Sequence, residues 1–465
     1  MSYADLLDRK KIVFRATGFK IDDSDINPVL HPFQRDLVRY QVYKGASACF
    51  ADTGLGKTAI NYEVVRFQQQ EVKKPALIFA PLSVAWQMID DVQELLGGEI
   101  VYRKSSDEPL AAINITNYER VHRFDISKFG VVSLDESSIL KALAGKTKKA
   151  LIEKCSNVLY RNCYSATPSP NDIAEIGNHA WFLGIMSSPE MKSTFFVNRE
   201  NKRTGDKWQL RAWSEAKFYR WLASWGMAVR SPSDLGYSNE GYELPKLNLV
   251  PHYIDSGYKQ EGMLIQVALS GLNERNKVRR ETIQQRCHYA ANLANSNDEQ
   301  WIVWCYLNNE ANLMNKLIPG SVNVQGSNAP EYKAAMFKDF KQGKFRVLVT
   351  KPKIGAFGLN FQQSHNAVCV GLDDSMETLY QMIRRQLRYL QTHQVNFHIV
   401  MDTAQKVIFD NVQRKERKMK VMQQKLIENS EQYTKEEIQQ IVKASFDYNP
   451  GVKFQLPEFM QGNYV

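Results

Sequence analysis

The stretch Ala51-Asp52-Thr53-Gly54-Leu55-Gly56-Lys57-Thr58 constrains the fold more than any other in the chain. It follows a short run of small and apolar residues, Ala46 to Phe50. It precedes a segment, Ala59 to Gln70, in which Ile60, Val64 and Phe67 recur at helical spacing. A strand, a glycine-containing loop and a helix, in that order, are the setting of a phosphate-binding loop. Thr53, Gly54, Leu55 and Gly56 would form the cradle, the two glycines letting the backbone curl until several N–H groups converge on one anion. The helix N-terminus adds partial positive charge at the same place. Lys57 can then reach terminal phosphates, and the Thr58 hydroxyl can ligate Mg²⁺. The opening position, usually Gly, is Ala51.

A chain of 465 residues predicts two or more domains. Apolar residues make up 43% and charged residues 24%, ordinary values for a folded soluble chain. No apolar run reaches the length of a membrane span, and MSYADLLDRKK at the start lacks the apolar core of a secretory signal. The six cysteines (49, 155, 163, 287, 305 and 369) include no C-x-x-C pair, which argues against a disulfide framework and fits a reducing cytoplasm. The net charge of +10 favours a nucleic-acid partner; a merely solvated basic surface would give the same excess.

Upstream of the loop, Pro32 opens a helix and Gln34 falls in its first turn, where an amide can both donate to and accept from an adenine edge. Downstream, the apolar runs Ala76–Ala80, Ile113–Thr116, Val131–Leu134 and Tyr160–Ala166 alternate with helical or loop segments. That alternation predicts a parallel sheet covered by helices, with ligands at the carboxyl ends of the strands. Each run ends in a polar signature: Ala80-Pro81-Leu82-Ser83, Thr116-Asn117-Tyr118-Glu119, Leu134-Asp135-Glu136-Ser137-Ser138 and Ser165-Ala166-Thr167-Pro168. Alone, Asp135-Glu136 reads as a solvated loop. After a phosphate loop it reads as a metal-holding carboxylate, Asp135, beside a base, Glu136, that takes a proton from the attacking water.

Residues 171–245 break the alternation and are rich in tryptophan, which predicts an insertion on the first lobe. The aromatics near Phe218 to Trp225 are read as packing. Lys202, Arg203 and Lys207 are either nucleic-acid contacts or a solvated cluster. A second alternating series starts near Leu247, with apolar runs at 301–306, 322–324, 346–350, 367–372 and 397–401 and helical patterns at 274–297, 329–342 and 376–390. It has no phosphate loop. On a helix, Gln381, Arg385 and Arg388 would share one face, and such arginines can stabilise a phosphoryl transition state. The tail beyond Thr403 is charged and helical, and its basic run 414–420 reads as a solvated face; Phe446, Tyr448, Phe454 and Phe459 could return to a lobe. The expected division is 1–245, 246–402 and 403–465. No repeat or low-complexity segment is evident.

Taken together, these signatures resemble the superfamily 2 helicases and translocases, and more closely the Swi/Snf-type ATPases, including compact phage and bacterial members. The matches are Gln34 for the adenine-side motif, Gly54, Gly56, Lys57 and Thr58 for Walker A, Pro81 and Ser83 with Trp86 for motif Ia, and Asn117-Tyr118-Glu119 for motif Ib. DESS matches motif II and SATP motif III. In the second half, Gln325-Gly326-Ser327 resembles that family's D-G-S element, Gly355, Gly358, Leu359 and Asn360 match motif V, and Gln381, Arg385, Arg388 and Gln391 match motif VI. The departures are Ser137-Ser138 for the usual ending of motif II, Arg384 where Asp is common, Lys351-Pro352-Lys353 where S-T-R is common, and Ala356 for a second glycine.

The resemblance implies an α/β fold of two RecA-like parallel-sheet lobes, an insertion on lobe one and a helical C-terminal tail. It implies ATP and Mg²⁺ between the lobes, held by Gln34, residues 53–58, Gly358 and Asp135. Lys57, Asp135, Glu136, Arg385 and Arg388 would carry the chemistry. Nucleic acid would cross both lobes near Pro81, Ser83, Asn117, Tyr118, Lys351 and Lys353. The expected activity is a DNA-dependent ATPase that translocates on duplex DNA and remodels branched or protein-bound DNA, as a monomer in the cytoplasm of a bacterial or phage-infected cell. A strand-separating DNA or RNA helicase, and the motor subunit of a nuclease or restriction assembly with a protein partner, stay open as alternatives.

Overall fold

The computed structural model describes residues 16–141, 145–198, 208–256, 272–355 and 360–438. Within them the chain builds two wholly parallel sheets. The first uses β1 (Ala46–Ala51), β2 (Ala76–Ala80), β3 (Val101–Tyr102), β4 (Ile113–Asn117), β5 (Val131–Asp135), β6 (Tyr160–Tyr164) and, after the β7–β8 hairpin (Phe196–Asn198, Trp208–Leu210), β9 (Gly226–Val229). Its order is β3-β4-β2-β5-β6-β1-β9. β1, β2 and β5 are buried along their whole length, because helices cover both faces. Successive side chains serve opposite layers: Ala48 and Phe50 pack with Trp221 and Trp225, while Cys49 and Ala51 pack with Ile60 and Val64.

Three helices organise this lobe's working edge: α1 (Pro32–Lys44), α2 (Lys57–Val72) and α3 (Leu82–Leu96). The stretch expected to be an insertion contributes helices, the β7–β8 hairpin and α4 (Glu215–Ala223). It then returns to the sheet, because β9 pairs with β1, Gly226 opposite Ala48. Its last part is therefore a sheet strand, only four residues long and without polar alternation. Trp221 and Trp225 are core residues, as their spacing suggested.

The second sheet runs β10-β15-β14-β11-β13-β12 from β10 (Leu247–Ile254), β11 (Trp301–Cys305), β12 (Val322–Val324), β13 (Val347–Thr350), β14 (Asn366–Val370) and β15 (Val395–Asp402). Two expected helices differ. The 274–297 pattern is two helices that meet at Thr282, whose hydroxyl donates to Val278 O at 2.8 Å. The 376–390 pattern stops early: α5 spans Met376–Ile383, and residues 384–390 are turns.

The tail also differs from a solvated helix. α6 (Lys406–Ile438) has 33 residues, roughly 50 Å at 1.5 Å each. Ile408, Phe409, Val412 and Met419 join the lobe 2 core, whereas Met422 and Leu426 join the lobe 1 core. Most of the basic run lies off this stripe, so the helix is amphipathic across both lobes. The aromatics expected to fold back, 446–459, lie outside the described residues. No helix among the described residues is long and apolar enough to cross a membrane.

Candidate active site between the lobes

The loop from β1 to α2 has the required backbone. Gly54 and Gly56 have φ of 90° and 79°, a region that L side chains avoid. A Cβ at Gly56 would lie 2.2 Å from Gln34 Nε2. Lys57 is the first residue of α2, and its Nζ donates to Ala51 O (3.0 Å) and Asp52 O (3.1 Å). The ammonium is thus parked on loop carbonyls that a phosphate oxygen can replace.

β6 lies between β1 and β5, so Asp135 sits two strand spacings, roughly 10 Å, from the end of β1. Burial, then the adjacent Glu136, pushes the Asp135 carboxyl up to about 7, with Lys57 opposing. Glu136 has φ of 51°, a left-handed conformation that costs a non-glycine residue about 1 kcal/mol or more. Its Oε2 is buried without a hydrogen-bond partner among the described residues.

Lobe 2 brings its cations to the same place. Arg385 is buried, its guanidinium donating to Gln381 Oε1 at 2.7 Å. Burial, then Arg388, lowers its pKa to about 10, with Glu136 opposing, so it stays charged at neutral pH. Arg388 is lowered by burial and supported by Asp91, and its Nε is buried without a partner among the described residues. The two arginines reach the cleft from turns rather than from one helix face. One cleft of about 320 Å³ is lined by Thr53, Gly54, Gly56, Lys57, Thr58, Asp135, Glu136, Arg385 and Arg388 among others.

The other expected residues divide. Leu55 is buried behind the loop. Gln34 does not line the cleft: Oε1 accepts from His31 N at 2.8 Å and Nε2 donates to Leu55 O at 3.0 Å, bracing the loop from behind. Tyr118 is corrected outright as a nucleic-acid contact. It is 3% exposed, stacks on Phe79, and donates its hydroxyl to Asp135 O at 2.6 Å. Asn117 is buried too, its Oδ1 accepting from Tyr102 Oη (2.7 Å) and Arg120 Nε (3.0 Å). Pro81 and Ser83 sit at the carboxyl end of β2, and Lys351 and Lys353 just past β13. Gly358 lies outside the described residues, as do Lys202, Arg203 and Lys207.

Sequence reasoning missed Asp52, Tyr380 and Arg384. The Asp52 carboxylate accepts from the Tyr380 hydroxyl and pairs with Arg384 at 2.7 Å, joining the phosphate loop to lobe 2. A second cross-lobe pair joins Lys141 to Glu377. Gln87, Asp91, Asn360, Gln362 and Tyr389 add further polar groups to the cleft lining, with no spacing signature of their own except Asn360.

The residues present suit a nucleotide with a hard cation. Two cleft-lining residues carry buried polar atoms without hydrogen-bond partners among the described residues, Glu136 Oε2 and Arg388 Nε. Among the described residues no cluster of three or more His, Cys, Asp or Glu could cage a metal. A hydroxyl, Thr58, and one carboxylate, Asp135, match Mg²⁺, which keeps several waters and takes further ligands from phosphates.

Residues 282–389 match the helicase conserved C-terminal domain. No curated protein matches the chain. Among solved structures, S. cerevisiae Dbp5 bound to RNA and ADP BeF3 is similar over 85% of this chain and 93% of its own, at 13% identity and a TM-score of 0.51. The DUF1998 helicase MrfA bound to DNA and AMPPNP is similar over 88% of this chain and 57% of its own, at 14% identity and 0.52. A Sulfolobus solfataricus SWI2/SNF2 ATPase core in complex with dsDNA aligns over 92% of this chain and 100% of its own, at 15% identity and 0.42. Dbp5 and MrfA share the two-lobe fold of this chain.

Proposed function

We propose that this chain is a superfamily 2 helicase/translocase, a nucleic-acid-dependent ATP hydrolase that moves along duplex DNA and remodels branched or protein-bound DNA, a reading supported by its helicase C-terminal domain and two-lobe fold. The observation that carries the reading is the single cleft lined from lobe 1 by Lys57, Thr58, Asp135 and Glu136 and from lobe 2 by Arg385 and Arg388. The site is whole only when the lobes meet, so hydrolysis is tied to lobe movement. Lys57 leaves its loop carbonyls to hold the terminal phosphates. Glu136 accepts the proton of the attacking water. Arg385 and Arg388 offset the charge that builds on the transferred phosphoryl group. Thr58 and Asp135 would hold Mg²⁺, which supplies charge neutralisation on the phosphate oxygens.

The duplex preference rests on the Swi/Snf-like detail of the motifs. Pro81, Ser83, Asn117, Lys351 and Lys353 are the proposed contacts at the strand-carboxyl edges, with Asn117 acting through the Arg120 it orients. The deciding experiment is the steady-state ATPase rate with no nucleic acid, duplex, branched DNA, single strands and RNA. Strong stimulation by duplex or branched DNA is expected. Stimulation by single strands or RNA alone would replace the translocase with a strand-separating helicase, and none at all would shift the reading to a motor subunit awaiting its partner.

A further inference from the structure

Arg384 and Asp52 belong to different lobes, yet their side chains meet at 2.7 Å and are only 16% and 15% exposed. Asp52 sits at a junction of the phosphate loop. Its carbonyl accepts from Lys57 Nζ at 3.1 Å. Its Oδ1 accepts from Thr53 N at 2.6 Å and from the Tyr380 hydroxyl, and its Oδ2 takes Arg384. Arg384 caps α5 and directly precedes Arg385. Its guanidinium also lies over the Tyr380 ring, 5.1 Å from the centroid. An acid at 384, common in the family this chain resembles, would face the Asp52 carboxylate and repel it.

We propose that Asp52 and Arg384 are a positioning pair: the phosphate loop grips the end of α5 and thereby sets Arg385 in the cleft. This rests on the ATP-hydrolase reading above. Neither side chain is a catalytic residue. Each acts through its neighbour, Asp52 through the loop that holds Lys57, Arg384 through Arg385. Movement of the loop when Lys57 exchanges a carbonyl for a phosphate is passed to lobe 2 through this ion pair. A displacement of about 1 Å at a catalytic group can cost about a hundredfold in rate, and a half-buried charge left unpaired gives such a displacement its driving force.

The test is a double-mutant cycle on the full chain with Asp52→Asn, Arg384→Gln and both together. Each single variant is expected to lower kcat at saturating nucleotide about tenfold or more, with KM for ATP within about twofold. The double variant should fall no further than the worse single, because removing both charges leaves neither unpaired. Losses that multiply, or singles that keep the wild-type kcat, overturn the pair. A readout independent of hydrolysis uses the fact that all six native cysteines are buried. Spin labels at Lys74→Cys in lobe 1 and Lys344→Cys in lobe 2 report the distance between lobes without nucleotide. A longer or broader distribution in either single variant supports the pair; identical distributions in all variants defeat it. If the unmutated chain hydrolyses no ATP with any nucleic acid, the function reading fails, while the distance measurement still decides the pair.

Discussion

Glu136 holds a left-handed backbone and an unpartnered buried oxygen at the mouth of β5. A glutamate kept in such a conformation, beside an Asp135 carboxyl raised to about 7, is aimed at something other than folding stability. The expected result for Glu136→Gln is loss of about a hundredfold or more in kcat, with nucleotide affinity retained. Lys57→Ala should lose both, since its ammonium is the group that exchanges loop carbonyls for phosphate. Steady-state rates and a fluorescent-nucleotide titration separate the two, and a fully active Glu136→Gln protein would defeat the assignment. These residues were legible in sequence because their chemistry is contiguous, GKT and DE each following a strand. Asp52 and Arg384 were not, since no local pattern links residues 332 apart. Gln34 was legible as a position and misleading as a role: its amide is engaged within the chain. His179, 3.1 Å from Ser137 just past the acidic pair, carries a pH prediction. Burial holds its folded pKa down to about 3, below the unfolded value of about 6.5. Its neutral form is what the fold accepts. Its contribution is therefore complete above pH 6.5 and is lost as pH falls toward 3, by up to about 1.4 kcal/mol per pH unit. Denaturant titrations between pH 7 and 4.5 should show His179→Gln losing stability with a slope one proton shallower than the unmutated chain.

The elements whose extent escaped the sequence are those decided by distant partners. The helical spacing of 376–390 continues past Ile383, but the chain turns because its own glutamines bind the 362–366 segment. Gln386 Nε2 donates to Ser364 Oγ and Asn366 O, both at 3.0 Å, and Gln391 Nε2 donates to Gln362 O at 2.8 Å. Those turns, not a helix face, put Arg388 in the cleft. α6 is the larger case. Its stripe is sparse among lysines and arginines, so composition hides it, yet Met422 and Leu426 fill lobe 1 while Ile408 and Phe409 fill lobe 2. It also binds the signature after β6, Gln423 Nε2 donating to Ala166 O at 3.2 Å, and Lys415 Nζ reaches both Asn171 Oδ1 (3.2 Å) and Asp374 O (2.8 Å). Leu426→Ala, at a position with no exposed surface, should cost about 2–5 kcal/mol in chemical denaturation. A loss that large would be unexpected in a merely solvated helix, and Val421→Ala on its exposed side is the control, expected to change stability by about 0.5 kcal/mol or less.

At the scale of the whole molecule, segments following β1, β2 and β5 line one cleft with the turns after α5, and the alternation of apolar runs was enough to foresee ligands at the carboxyl ends of the lobe 1 strands. What alternation cannot supply is how the halves meet, because the contacts that join them pair residues far apart in the chain: Lys141 with Glu377, Arg384 with Asp52, and the α6 stripe with both cores. A net charge of +10 then acts on whatever crosses both lobes. A duplex gripped through its phosphates releases counterions, so affinity must fall steeply with salt, with a log–log slope of about −0.9 per phosphate neutralised. A motor that reads shape rather than sequence should show that slope equally on unrelated duplexes. The expectation is a loss of about a thousandfold in duplex affinity between 50 and 200 mM salt for a footprint of about six phosphates. Replacing Lys351 and Lys353 together by alanine should make the slope shallower by about two. Fluorescence anisotropy across a salt series measures both. Affinity that hardly changes with salt, or a slope untouched by losing both lysines, would mean that the duplex is not held by phosphates at the strand-carboxyl edge of lobe 2.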